Sequence, residues 1–281
     1  QLPPGAHVVT YYSYNPPKNP YDWINEWVAK REGMPNWFVD HSTYKDVTLP
    51  NILSEDYIDE INTVKANDVD YYRWMYLGEV VGLGTNVYNM DNFNSIDNLP
   101  ADDYITNLYY SVDSGHEVSA TTCGAYGLTR KGNLILLDTY YYSPQGKTHK
   151  KPPSELSRDL KEFIDKVTNW IGKQPTRLTM DSAEGALDNQ FYNDFGIRWH
   201  KVRKLKKVDM IDRVQDLLAQ GRFFYLKRPE NEIFIKEHEK YQWDEKTLQS
   251  DDPKVIKEDD HTCDMFQYVV RDNERDLGLK W

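Results

Sequence analysis

The chain has 281 residues, enough for one large domain or two smaller ones with a sizeable core. Its apolar content of 39% and aromatic content of 14% exclude a disordered chain. With 45 acidic residues against 34 Lys and Arg, the net charge of −11 excludes a broad coating of nucleic acid but leaves room for a local grip on it.

In chain order, "HVVTYYSY" (7–14) reads as a strand, "NPPKNP" as a turn and "YDWINEWVAKR" (21–31) as a helix. "NWFVDHSTYKD" is extended. Ser54 is a good N-cap for a helix to about Lys65, with Tyr57, Ile58, Ile61 and Val64 on one face. "VDYYRWMYLGEVVG" (69–82) is a second helix ending at glycine. The Asn-, Asp- and Gly-rich stretch 82–103 reads as a linker. Residues 1–95 and 96–281 therefore read as two regions.

The second region opens with "YITNLYYSVDSG", "SATTCGAYGLT" and "LILLDTYYYS", three strands of an antiparallel meander. A helix over 152–172 follows. Then come the short strand "TRLTMD", a helix ending at Gly196, the strand "IRWHKVRK" (197–204) and the helix "VDMIDRVQDLLAQG". "FIKEHEKYQW" (234–243) reads as helical, and "TCDMFQYVVRD" (262–272) is the final helix. Meander followed by βα units is an α/β plan with parallel strands added at the meander's edge. No apolar run is long enough to span a membrane, and the start has no signal-peptide pattern. Lacking an initiator Met, the chain reads as a piece of something longer. Cys123 and Cys263 have no CxxC spacing and read as reduced thiols.

The acids carry the chemistry. Asp113 ends the first strand of the meander, Asp181 ends the fourth strand, and Asp264 opens the last helix. In α/β sheets, ligands collect at the carboxyl ends of strands. The first and fourth strands are plausible neighbours, so the three carboxylates can meet. Their mutual repulsion then calls for a hard divalent cation, Mg²⁺ or Mn²⁺. Two such ions, about 3.5–4 Å apart, suit phosphodiester hydrolysis. His261 lies one turn before Asp264 on the same helix face. Taken singly, Asp113 and Asp181 read as turn residues, Asp259 or Asp260 as helix-start acids, and Glu117, Asp138, Glu184 and Asp188 as solvated. The run 198–207 is the one dense basic stretch. Its Lys201, Arg203, Lys204, Lys206 and Lys207 read equally as a phosphate grip or a solvated edge. Trp199, Tyr241 and Trp243 read as packing residues.

"YSVDSG", "LTMDSAEGALDNQFYNDFGI", "YQWD" and "DDHTCDMFQYVV" resemble the nuclease domain of the large terminase subunit of tailed bacteriophages. Upstream, "TYYSYNPP", "HSTYKDVTLP" and "YYRWMYLGEVVG" resemble the end of that family's ATPase domain and its linker. The resemblance covers nearly the whole chain. It implies a ribonuclease H-like fold and a divalent-metal-dependent endonuclease that cuts concatemeric double-stranded DNA during genome packaging. Metal ligands would be Asp113, Asp181 and Asp264, with His261 and Asp260 beside them. Implied partners are double-stranded DNA, the portal protein and the small terminase subunit, in the host cytoplasm and without a membrane. No GxxxxGK[ST] loop is present, so ATP use belongs to the full-length protein. Other readings are a resolvase or transposase core, or a non-catalytic docking module.

Overall fold

Nine-residue runs of apolar and β-branched residues build the middle of the sheet. In the computed structural model, which describes residues 9–279 apart from 21, 51 and 116–118, these runs are β2 (Ile105–Asp113), β3 (Thr121–Thr129) and β4 (Leu134–Tyr142). They pair antiparallel, as the meander reading expects. β5 (Arg177–Met180) adds in parallel to β2, and β6 (His200–Lys201) to β5. On the other side β7 (Phe223–Leu226) pairs in parallel with β4, and β1 (Asn94–Ile96) with β7. The order is β1-β7-β4-β3-β2-β5-β6.

Side chains alternate along a strand, and here both faces are covered. Leu108, Tyr110 and Val112 of β2 pack against α4 (Pro153–Ile171) and α5 (Ala186–Phe195). Tyr109 faces the other way. There Tyr126, Leu136 and Phe223 meet α6 (Lys207–Ala219), α7 (Glu232–Lys240) and α8 (His261–Asp272). Helix α4 carries the 3.6-residue stripe Leu156, Leu160, Phe163, Ile164 and Val167, all buried, and stops at Gly172 in the left-handed region.

Upstream, α1 (Trp23–Ala29) is capped by Asp22. Ser54 and Asp68 cap α2 (Glu55–Asn67) and α3 (Val69–Leu77), which ends at left-handed Gly78. Their buried Ile61, Val64, Tyr71, Tyr72 and Trp74 pack against Ala219 of α6.

Four elements differ from their sequence reading. Residues 9–14 form no strand, since no described neighbour offers them a pairing edge; residues 7 and 8 of that stretch, and Tyr21 of the first helix, lie outside the described residues. The supposed linker supplies β1 and buries Val87, Tyr88 and Phe93 in the core. The strand expected over 197–204 shrinks to two residues because the edge of β5 offers it only Thr179 and Met180. β7 escaped notice as four residues between a helix and an Arg-Pro turn.

Helix α8 lies close on β3 because Gly124 has no side chain. A Cβ there would sit 2.8 Å from Met265 Cε and 2.5 Å from Tyr126 Cε2. Gly124→Val should therefore lower unfolding stability by about 1–3 kcal/mol through overpacking. An unshifted urea midpoint would show that α8 does not depend on this approach.

Candidate active site

Val112 of β2 pairs with Met180 of β5, so Asp113 and Asp181 emerge side by side at the carboxyl ends of adjacent parallel strands. Helix α8 is fastened across the same ends. Ser111 Oγ donates to the Met265 carbonyl at 2.8 Å, and Thr122 Oγ1 to that of His261 at 3.4 Å. His261, Asp264 and Tyr268, spaced three and four apart, then share one helix face. His261 Nδ1 lies 2.9 Å from Asp113 Oδ2. The Tyr268 hydroxyl donates to Asp181 Oδ2 at 3.4 Å. Tyr268 feels the charges of Asp264, Asp113 and Asp181 together, and Asp113 feels Asp264 and Asp260. Of the carboxylates picked from the sequence, Asp181 thus meets Tyr268 and Asp113 meets His261, both on the helix that carries Asp264.

Each carboxylate meets its charge differently. Burial raises Asp113 above the usual carboxylate range, with His261 pulling the other way and Asp264 adding to the rise. Burial would also raise Asp264, but the ammonium groups of Lys207 and Lys257 outweigh it and hold Asp264 below that range. Lys207 Nζ is 2.5 Å from Asp264 Oδ1, and Lys257 Nζ is 3.1 Å from Oδ2. Asp181 is likewise lowered, since Lys204 at 2.6 Å and the Ala183 amide overcome its burial. Its contact with Asp113 raises His261 above 6.5, against the effect of burial.

The start of α8 needs outside help. Asp260 stands at the N-cap but makes no capping bond; it turns to Lys257 at 2.7 Å instead. The cap comes from Glu237 of α7, whose Oε2 accepts from Thr262 N and Oγ1 at 2.7 Å each. Burial raises Glu237 above its ordinary value, with the Thr262 hydrogen bonds opposing. Sequence reasoning missed Glu237, Lys257 and Tyr268. Only Lys257 carried a signal, as a base three residues before Asp260.

The basic run lies beside this acidic site, with Lys201, Lys204 and Lys207 turned toward internal acceptors. Besides Lys204 and Lys207, Lys201 reaches the Glu184 carbonyl and Asp188. Arg203 and Lys206 are exposed. Trp199, Tyr241 and Trp243 are buried, as packing residues should be. Three acids expected in solvent are buried. Asp138 pairs with Lys166 and accepts from the Thr139 amide. Glu184 accepts from Leu187 N at the start of α5, and Asp188 from Trp199 N. In each case backbone amides or an ion pair repay the burial. Glu117 lies outside the described residues. Cys123 and Cys263 are buried free thiols.

A mixed sheet with helices on both faces and acids gathered at adjacent strand ends is the arrangement of a ribonuclease H-like α/β protein. The family described as "Terminase RNAseH like domain" matches residues 113–272, more than half of the chain. "Phage terminase large subunit" matches residues 2–79. The chain belongs to the terminase large-subunit family. Over 86 residues it is 45% identical to the terminase large subunit of Bacillus phage SPP1, a stretch that is 30% of this chain and 19% of that protein. The large terminase of a thermophilic bacteriophage superposes with a TM-score of 0.73 at 22% identity, covering 91% of this chain and 60% of that one. The chain thus spans less than two thirds of these relatives.

Two expectations follow. His261 should titrate above 6.5 by NMR, and Asp113→Asn should bring it back down. The stability lent by the raised imidazole is then full below pH 6.5 and lost as pH rises through the folded value. Glu237→Ala should cost about 1 kcal/mol or more, the usual loss of a helix cap. No change in the denaturation curve would remove Glu237 from this role.

Proposed function

We propose that the chain is a divalent-metal-dependent endonuclease that hydrolyses phosphodiesters of double-stranded DNA, the cutting part of a genome-packaging terminase. The observation that supports this reading is that Asp113 and Asp181 end adjacent parallel strands, with His261 of α8 against Asp113 and Tyr268 of α8 against Asp181.

The donor set suits a hard cation in kind, being carboxylate oxygen with one imidazole nearby. Among the described residues, no three His, Cys, Asp or Glu side chains are already grouped as metal ligands. The ammonium groups of Lys204, Lys207 and Lys257 press on the carboxylates as stand-in cations instead. The site demands positive charge, and lysine now supplies it. Asp113, Asp181 and Asp264 would hold Mg²⁺ or Mn²⁺. When bound, the ion supplies Lewis acidity at the phosphate and an acidified water.

The chain's own residues do the positioning. His261 fixes one Asp113 oxygen and leaves the other to a ligand. Tyr268 orients Asp181 by its hydroxyl. Glu237 anchors the turn from which His261 and Asp264 project. The exposed Arg203 and Lys206 lie where they can meet backbone phosphates, binding that is independent of sequence and weakened by salt.

The wider context belongs to the same proposal. Residues 1–95 are the end of a motor domain with its linker, and 96–281 the nuclease. ATP is used only by the longer protein, and portal and small terminase subunit are its partners in the host cytoplasm. No helix among the described residues is long and apolar enough to cross a membrane.

Supercoiled plasmid should be cut in Mg²⁺ or Mn²⁺ and spared in chelator. Asp181→Asn should slow cutting by about a hundredfold or more while leaving the circular dichroism intact. Wild-type rates for that variant in Mn²⁺, or no cutting in any divalent metal, would refute the assignment. The second outcome would favour a docking module.

A further inference from the structure

Both oxygens of the Asp264 carboxylate are taken. Lys207 holds Oδ1 and Lys257 holds Oδ2. Lys204 holds Asp181 in the same manner. Four carboxylates, Asp113, Asp181, Asp260 and Asp264, gather with three ammonium groups, those of Lys204, Lys207 and Lys257. Four negative charges therefore meet three positive ones from lysine. A divalent ion entering the cluster needs the carboxylate oxygens that these ammonium groups hold, Asp264 Oδ1 and Oδ2 and Asp181 Oδ2, so it must exchange with them. Unit charges a few ångströms apart in a partly buried site repel strongly enough to enforce that exchange.

The three lysines are mounted so that withdrawal is possible. Lys204 sits in residues 202–206, which have no regular secondary structure, and Lys257 in an irregular stretch before α8. Lys207 is the first residue of α6, where no side chain caps the helix. Its other partner is the Gln267 amide oxygen at 3.0 Å, and the Gln267 nitrogen is tied to Tyr88 and Tyr241. Gln267 is therefore fixed, and Lys207 swings on its own stem. Lys204 and Lys207 also flank the exposed Arg203 and Lys206. A lysine that leaves Asp181 or Asp264 joins a surface already suited to phosphate.

We infer that Lys207, Lys257 and Lys204 are displaceable counter-cations, which keep the acidic cluster folded without metal and turn to DNA phosphates when a divalent ion takes their place. The inference rests on the nuclease reading above and adds a coupling to it. Metal entry exposes positive charge to the duplex, and the duplex, by holding the released lysines, favours metal entry. The coupling is reciprocal.

The test titrates Mn²⁺ alone into the wild-type protein and into Lys207→Gln by calorimetry. Duplex binding is then measured in Ca²⁺ by fluorescence anisotropy at several salt concentrations. Thermal unfolding in chelator checks each variant's fold. Lys257→Gln, which removes the other ammonium group from Asp264, serves if Lys207→Gln does not fold. Removing one competing charge should tighten Mn²⁺ binding by about tenfold or more. In Lys207→Gln, duplex affinity in Ca²⁺ should fall and the slope of its salt dependence shrink by about one. Tighter Mn²⁺ with weaker duplex binding supports the exchange. Unchanged or weaker Mn²⁺ binding in the variant, with wild-type protein binding Mn²⁺, overturns the exchange alone. Wild-type protein that binds no Mn²⁺ overturns both the exchange and the nuclease reading.

Discussion

Everything at this site depends on one electrostatic constraint: Asp264 is buried beside carboxylates of its own sign. A buried charge without a partner is costly, and a second one nearby makes it worse. The fold answers with lysines from two sides, one at the start of α6 and one just before α8. The result is an inversion between two acids of the same cluster. Asp264, with two ammonium groups, is held below the ordinary range, while Asp113, with a single imidazole, rises above it. Environment alone separates them.

That environment is built by backbone geometry before any side chain is considered. Parallel pairing of β2 with β5 sets Asp113 and Asp181 at neighbouring strand ends. Helix α8 must then lie close and in one register to bring Asp264 to them. Gly124 permits the approach, Ser111 fixes the height by bonding the Met265 carbonyl, and Tyr126 stacks on Phe266 at 5.9 Å. Glu237 ties down the first turn. None of these groups needs to touch a substrate, yet each decides where the acids point.

This division explains what was legible in the sequence. The meander, α4, α6 and α8 could be read because their apolar patterns are long and regular; Leu156 to Val167 on α4 is an unbroken stripe. The strand-end acids followed from topology, because a βα unit after a meander leaves few places for its strand. What stayed hidden depends on partners remote in sequence. β1 is three residues of Asn-Ser-Ile inside a polar stretch, and it is a strand only because β7 offers it an edge. Asp138 looks like any exposed acid in "LLDTY" until Lys166 of α4 and Arg228 arrive over it. Glu237 is one of several charged residues in a helix, and nothing local marks it as the cap of another helix 25 positions away.

The basic run is the sharpest case. Counted along the chain, six cations in ten residues read equally as a phosphate grip or as a solvated edge. In space, Lys204 and Lys207 are committed to Asp181 and Asp264, and Lys201 to Asp188. A charge spent on an internal carboxylate cannot also serve a phosphate, so the attraction available to DNA is smaller than the count suggests. The same fact accounts for how a chain of net charge −11 tolerates so dense a set of buried acids. Four of its cations, Lys201, Lys204, Lys207 and Lys257, are placed against these acids. Positive charge at this site is a shared resource, and whatever neutralises the carboxylates decides how much of it faces the solvent.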